Sequence, residues 1–202
     1  MEITYGIADA KGEGFDLVEA YHYSGKAVKH ARVCAAAYLS DVMVSACFFS
    51  MPAARWKEEV IELVRLVRFP GADDVSMTKL ISVGAKECKI RGFDLLISYA
   101  DTAEGHHGGV YQASSWKYAG VRGGGATEAF LINGERVHRR TCVHRWGTSS
   151  FPGLKALLPD ASIVPVKDQG KHLYWRALNK IGDRKAARLN LQTRPYPKPA
   201  QP

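Results

Sequence analysis

Ser76-Met77-Thr78-Lys79-Leu80-Ile81-Ser82-Val83-Gly84-Ala85-Lys86-Glu87-Cys88-Lys89-Ile90-Arg91-Gly92-Phe93-Asp94-Leu95-Leu96-Ile97-Ser98-Tyr99-Ala100-Asp101 changes its hydrophobic period halfway along. In the first half Met77, Leu80, Ile81, Gly84, Ala85 and Cys88 recur at three- and four-residue steps, which puts one apolar and small-residue stripe on a helix. Ser76 offers an N-cap hydroxyl, and Gly92 suits the left-handed position beyond the last turn. From Phe93 to Tyr99 the helical period is gone. Leu95, Leu96 and Ile97 leave no polar face, as in a strand buried on both sides. Upstream, Glu59 to Phe69 is rich in Val, Ile and Leu and stops at Pro70-Gly71, which reads as another strand ended by a turn. The unit is strand, helix, strand. Asp101 stands just beyond its carboxyl end, where open α/β sheets gather side chains in a crevice.

After Asp101 come Gly105-His106-His107-Gly108-Gly109, whose glycines let a ligand approach the backbone closely. The plainer reading is a Gly-rich connection with incidental histidines. Val110 to Tyr118 reads as a second helix stopped by Gly120. Phe130-Leu131-Ile132, Asn133-Gly134 and Val137 to Val143 read as a hairpin, since Asn-Gly is the favoured type I′ pair. Towards the amino end, Glu2 to Ala8 reads as a strand and Gly14 to Tyr21 as a short helix delivering a His22-Tyr23 loop. Ala31–Leu39 and Val42–Ser50 form a hairpin about Ser40-Asp41. The fold class is α/β, a single domain with a central mixed sheet flanked by helices and a basic C-terminal tail.

A chain of 202 residues with 46% hydrophobic content supports one buried core. Residues 1–175 are expected to form the domain, and 176–202 a basic, Pro-containing tail that is partly disordered. No apolar run reaches a membrane span and the amino end lacks secretory-signal patterning, so a cytoplasmic protein is expected. The four cysteines form no C-x-x-C pair and read as core hydrophobes; Cys142 beside His144 leaves a nucleophile open, although strand alternation explains that pair. The net charge is +8, and nine of the 28 Lys and Arg lie from Lys167 onward against two acidic residues. Such an arm suits a polyanion, or else is a solubilising tail.

The element order resembles the Gcn5-related N-acetyltransferase fold, in which an acyl carrier's phosphates meet the start of the central helix. Here the matching loop, Pro70 to Lys79, departs from the family's glycine-rich pattern, and Asp73 and Asp74 would repel a diphosphate. These departures count against acetyl-coenzyme A as the donor. The match sharpens at Ile97-Ser98-Tyr99-Ala100-Asp101, Gly105-His106-His107-Gly108, Val110-Tyr111-Gln112-Ala113 and Trp116-Lys117-Tyr118-Ala119-Gly120. Together with His22-Tyr23-Ser24-Gly25 and Phe130-Leu131-Ile132-Asn133-Gly134, these resemble the signature of phage DNA modification proteins of the Mom family.

The resemblance implies a transferase that converts adenine in double-stranded DNA to its N6-carbamoylmethyl (acetamido) derivative, an anti-restriction function in the host cytoplasm. It implies that His22, Tyr23, Asp101 and Tyr111 serve activity, the first three being candidate iron ligands. On chemical grounds Asp101 could accept the N6 proton and Tyr111 orient or protonate a leaving group; imidazole, phenolate and carboxylate also form a hard donor set suited to iron. The plainer readings are a loop histidine, a core-edge tyrosine, an aspartate capping a turn and a packed helix aromatic. Gly105, His106, Gly108, Trp116, Arg139 and Arg140 are the candidate substrate and DNA contacts. An extruded adenine needs an aromatic face, for which Trp116, Tyr118 and Trp146 are available, and arginines near the last hairpin would contact phosphates. The expected partners are duplex DNA, an acyl or aminoacyl donor on an unidentified carrier, and a second copy of the chain. The alternatives are a conventional acetyl-coenzyme A-dependent N-acyltransferase acting on an amine, and a DNA-binding module without catalysis.

Overall fold

A computed structural model describes residues 2–9, 11–23, 25, 26, 28, 30–53 and 56–198. Ser24 of the His22–Gly25 motif and Pro199 and Pro202 of the tail lie outside them. The described residues fall into two compact units, the first drawn from 1–100, 106–120 and 172–202, the second from 101–105 and 121–171.

The first unit begins with β1 (Ile3–Ala8), α1 (Glu13–Tyr21), β2 (Val33–Leu39), β3 (Val42–Ser50) and β4 (Ile61–Arg68). It continues through α2 (Met77–Ile90), β5 (Leu95–Asp101), α3 (Gly109–Ala113) and β6 (Lys117–Arg122). The strands lie in the order β1-β2-β3-β4-β5-β10-β6, where β10 is Lys171–Ala177. The β2–β3 turn uses Ser40 and Asp41 at φ 49° and 66°, the conformation of a tight two-residue hairpin. β2 reads as apolar throughout because both its faces are covered. Ala35 and Ala37 join the cluster beneath α2, while Cys34 and Ala36 join Leu17 and Val18 of α1. Gly84 of α2 is small for a packing reason: a Cβ there would overlap Phe49 Cε2. Ser76 caps α2 by accepting from Lys79 N at 3.3 Å.

Two expectations fail at this level. The helix read from Val110 to Tyr118 ends at Ala113, because Ser115 adopts φ 59° and Trp116 N folds back to the Tyr111 carbonyl. The sequence then runs out as β6. The expected tail from residue 176 is also built into this unit. It contains the end of β10, then α6 (Lys180–Arg188), capped by Asn179, whose side chain accepts from Gly182 N at 2.9 Å. Beyond it, Arg194 N donates to the Tyr118 carbonyl at 2.8 Å.

The second unit contains β7 (Thr127–Ile132) flanked by β8 (Glu135–His138) and β9 (Ile163–Lys167), with α4 (Arg139–Trp146) and α5 (Phe151–Leu157). Phe130, Ile132, Val137, Cys142, Leu154 and Ile163 form its core. The Asn133-Gly134 hairpin is present, both residues at positive φ. The strand read from Val137 to Val143 is not: β8 stops at His138, whose Nδ1 accepts from Arg140 N at 3.1 Å and starts a helix. Arg139 and Arg140 therefore follow helical rather than alternating geometry. Among the described residues no helix is long and apolar enough to cross a membrane.

Candidate active site

In the first unit, β4 and β5 run parallel but pair only through Ile61–Leu63 and Leu96–Ser98. Where the ladder stops, the Leu63 carbonyl accepts the Ser98 hydroxyl at 2.7 Å. Ser98 Oγ also lies 2.8 Å from Tyr111 Oη. A carbonyl can only accept and a serine has one proton, so Ser98 donates to Leu63 and accepts from Tyr111. Burial pushes the Tyr111 phenol up to about 12. It is therefore a neutral donor at physiological pH, not a phenolate.

Tyr111 is set in place from behind. Gly108 takes φ 78°, and a Cβ there would fall 2.6 Å from Tyr174 Cζ. Tyr174 Oη donates to the His107 carbonyl at 2.6 Å, and Gln112 Nε2 donates to the same carbonyl at 3.1 Å. Tyr174 stacks on Tyr111 with ring centroids 5.2 Å apart.

His22 and Tyr23 follow α1 directly. Their rings lie 4.4 Å apart at 31°, and Tyr23 meets His106 edge-on at 5.6 Å. Burial, then the Arg65 guanidinium and His106, hold the His22 imidazole down to about 4. His22 is thus neutral at physiological pH, while Tyr23 remains 55% exposed. The sequence reading places His22, Tyr23, His106 and Tyr111 at the site, and in the first unit the first three form one aromatic group. It misses Arg65, Ser98 and Tyr174. Ser98 could have been found as the one serine in an otherwise apolar and aromatic run from Leu95 to Ala100; Arg65 and Tyr174 carry no local signal.

Trp116 is a correction. It is fully buried, packed 5.5 Å from Tyr111 in the core, and so presents no face for a base. Its size and its place before a strand draw it inward.

Asp101 and Gly105 belong to the second unit. Asp101 is the last residue of β5, not a residue beyond it. Its Oδ1 accepts from Ala103 N at 3.1 Å and Oδ2 pairs with Lys171 Nζ at 2.7 Å. Gly105 closes the turn that follows at φ 69°. The turn-capping role weighed for Asp101 is therefore met, with an ion pair that spacing does not announce. Next to it, Asp168 accepts from Gly124 N at 3.0 Å and Gly170 N at 2.8 Å, and these bonds hold its carboxyl below the usual range. Arg139 and Arg140 stand on α4. Cys142 is buried, with its thiol pushed up by burial, so it is no nucleophile.

The implied iron ligands fall in different units, His22 and Tyr23 in the first and Asp101 in the second. His22 and Tyr23 are stacked on each other, Asp101 is engaged by Lys171 in the other unit, and no group of three or more His, Cys, Asp or Glu among the described residues could hold a metal. For an acyl carrier, β4 beyond Leu63 is left without pairing to β5. At the start of α2, however, Ser76 N is already bonded to Tyr5 Oη at 2.8 Å. Asp73 is paired with Arg68 at 2.8 Å, which compensates one of the two charges expected to repel a diphosphate.

The solved structures that resemble this chain are acetyltransferases. An aminoglycoside 6'-acetyltransferase type Ii matches with TM-score 0.52 at 15% identity, over 89% of this chain and 98% of its own. An N-acetyltransferase from Staphylococcus aureus Mu50 gives 0.52 at 13%, over 89% and 100%. A GNAT family acetyltransferase from Elizabethkingia anophelis, solved with acetyl-CoA bound, gives 0.50 at 12%, over 87% and 98%. At these identities the likeness is one of fold. Among curated proteins no match is found by sequence. The model of the Mom protein family matches residues 7–198, and the chain belongs to that family.

Proposed function

We propose that this protein is a DNA-modifying transferase that attaches a carbamoylmethyl group to N6 of adenine in double-stranded DNA and so shields that DNA from restriction. Family membership and the acyltransferase fold support a modifying transferase. The observation that carries the finer reading is the group His22, Tyr23 and His106, an exposed aromatic face beside an imidazole kept neutral. An adenine taken out of the stack needs such a face to lie against. Its N6 lone pair is delocalised into the ring, so the proton leaves only once N6 has bonded to carbon and become acidic. A weak neutral base such as His22 can accept it then. In this step the bond from N6 to the donor's methylene forms, the bond from that methylene to its leaving group breaks, and the pair leaves with the group. Tyr111, held as a neutral phenol, would supply its proton to the leaving group by turning its hydroxyl away from Ser98, on which that proton otherwise rests.

Nucleoside mass spectrometry of DNA from cells expressing the protein should find the modified deoxyadenosine, lost in His22→Ala and Tyr111→Phe. Unmodified adenine alongside soluble, folded wild type refutes the reading.

The end of the β4–β5 pairing at Leu63 favours one second reading, a conventional N-acyltransferase with an acyl-coenzyme A donor. The part of β4 beyond Leu63 that does not pair with β5, and the amides of Met77 and Thr78 at the start of α2, would hold the carrier. Calorimetric binding of acetyl-coenzyme A together with acetylation of a free amine, and no change in DNA, would select it.

A further inference from the structure

In the second unit a groove of about 330 Å³ is lined by Thr127, Glu128, His138, Arg139, Arg140 and Ser149, with Val143. Its charges are unevenly matched. Arg136 pairs with Glu128 at 2.9 Å and Arg145 with Glu135 at 3.5 Å, so both acids near α4 are compensated by arginines. Among the described residues Arg139 meets only neutral groups: Nε lies 3.3 Å and Nη2 3.2 Å from Ser149 Oγ, and Nη1 lies 3.4 Å from the Thr127 carbonyl. These bonds fix its guanidinium without cancelling its charge. Arg140 is exposed and has no ion pair among the described residues. His138 Nδ1 accepts from the Arg140 amide, so in the neutral ring the proton sits on Nε2, a donor. Val143, one turn along α4 from Arg139 and Arg140, is 49% exposed.

Two uncompensated guanidinium groups, one pre-oriented, beside a hydroxyl and an imidazole donor make a site for an anion with several acceptor oxygens. The apolar Val143 beside them suits a ligand whose charged group adjoins apolar surface, as a phosphodiester adjoins its sugar. We propose that this groove seats a backbone phosphate of the duplex DNA, with Arg140 as the principal contact, Arg139 as the braced second contact and Val143 against the sugar. The assignment rests on the DNA reading above. It gives separate roles to two arginines that the sequence offers together as DNA contacts. Arg139 also ties α4 to β7 and the Ser149 loop, whereas the exposed Arg140 side chain makes no such bond among the described residues. Because a phosphate carries no sequence information, the contact positions the protein without selecting the base.

The test is a salt titration of duplex binding by fluorescence anisotropy for the full chain, Arg140→Ala, Arg140→Glu, and Lys86→Ala on the exposed side of α2 as the charge control. Each lost phosphate contact lowers the slope of log affinity against log salt by about 0.9. Arg140→Ala should lower it by that amount, equally on duplexes with and without adenine, and Arg140→Glu should weaken binding further. The thermal midpoint should not change, whereas Arg139→Ala should lower it. If wild type binds with a salt-dependent slope and Arg140→Ala keeps that slope, or Lys86→Ala lowers it as much, the groove assignment is overturned and the DNA reading stands. If wild type shows no salt-dependent duplex binding, the DNA reading fails and takes the groove with it.

Discussion

At Tyr111 a single hydroxyl joins the end of the β4–β5 ladder to the site. Tyr111→Phe keeps the ring packing and removes the proton. The net loss of one buried hydrogen bond should cost about 1 kcal/mol, read as a small shift in the urea midpoint. If the phenol serves as the acid, modified adenine should fall by about 10²-fold or more, an effect far larger than the stability change can explain. An unchanged yield would remove Tyr111 from the chemistry. His22 makes a separate prediction through its charge. The unfolded imidazole titrates near 6.5 and the folded one at about 4. Within that window the unfolded chain binds more protons, so stability falls as pH drops from 6.5 towards 4. His22→Gln should flatten this slope in urea midpoints measured from pH 4 to pH 7; an unaltered slope would show that His22 is not held neutral by the fold.

Elements with a one-dimensional signal were legible in the sequence. α2 follows from the Met77–Cys88 stripe and its Ser76 cap, β5 from an unbroken apolar run, and both hairpins from turn residues that accept positive φ. Elements whose signal lies in a partner were not. Nothing in Arg139–Trp146 outweighs the preceding β8 pattern until His138 is seen accepting from Arg140 N, and α3 stops early because Ser115 turns the chain towards a buried Trp116. The Asp101–Lys171 pair joins residues far apart in sequence, so spacing could not give it. α6 shows how a partner can reverse a propensity argument. Replacing Gly182 by Ala should help an isolated helix by about 1 kcal/mol. In this chain the new Cβ would strike the Asp94 carbonyl, which is backbone and cannot rotate away. Gly182→Ala is therefore expected to destabilise by about 2 kcal/mol or more, seen as a fall in thermal midpoint. A gain would mean that α6 does not dock against Asp94.

At the scale of the molecule, the question is what the basic C-terminal segment is for. Read as a solvated arm, residues 176–202 would bind a polyanion and be dispensable for folding. The first unit uses them otherwise. Lys185 pairs with Asp94 at 2.8 Å with both side chains mostly buried, and Arg188 Nε meets Glu58 at 2.6 Å. Ala186 and Leu191 are buried with Leu95, Ile97, Leu173 and Trp175. Tyr196 Oη donates to the Trp116 carbonyl at 2.8 Å, which secures the strand that follows α3. Two of the segment's seven Lys and Arg, Lys185 and Arg188, are therefore paired with internal acids. Apolar burial outweighs the exposed Arg188–Glu58 pair, because such a pair contributes about 0–1 kcal/mol, whereas a buried leucine lost from a core costs about 2–5 kcal/mol. A chain ending at Trp175 should lose α6, uncover Leu95, Ile97 and Leu173, and fail to give a cooperative thermal transition. A chain carrying Lys180→Gln and Arg184→Gln, which have no acidic partner among the described residues, should keep its midpoint. If the truncated chain instead melts like the full one and loses only salt-sensitive DNA binding, the segment is an arm and not part of the core.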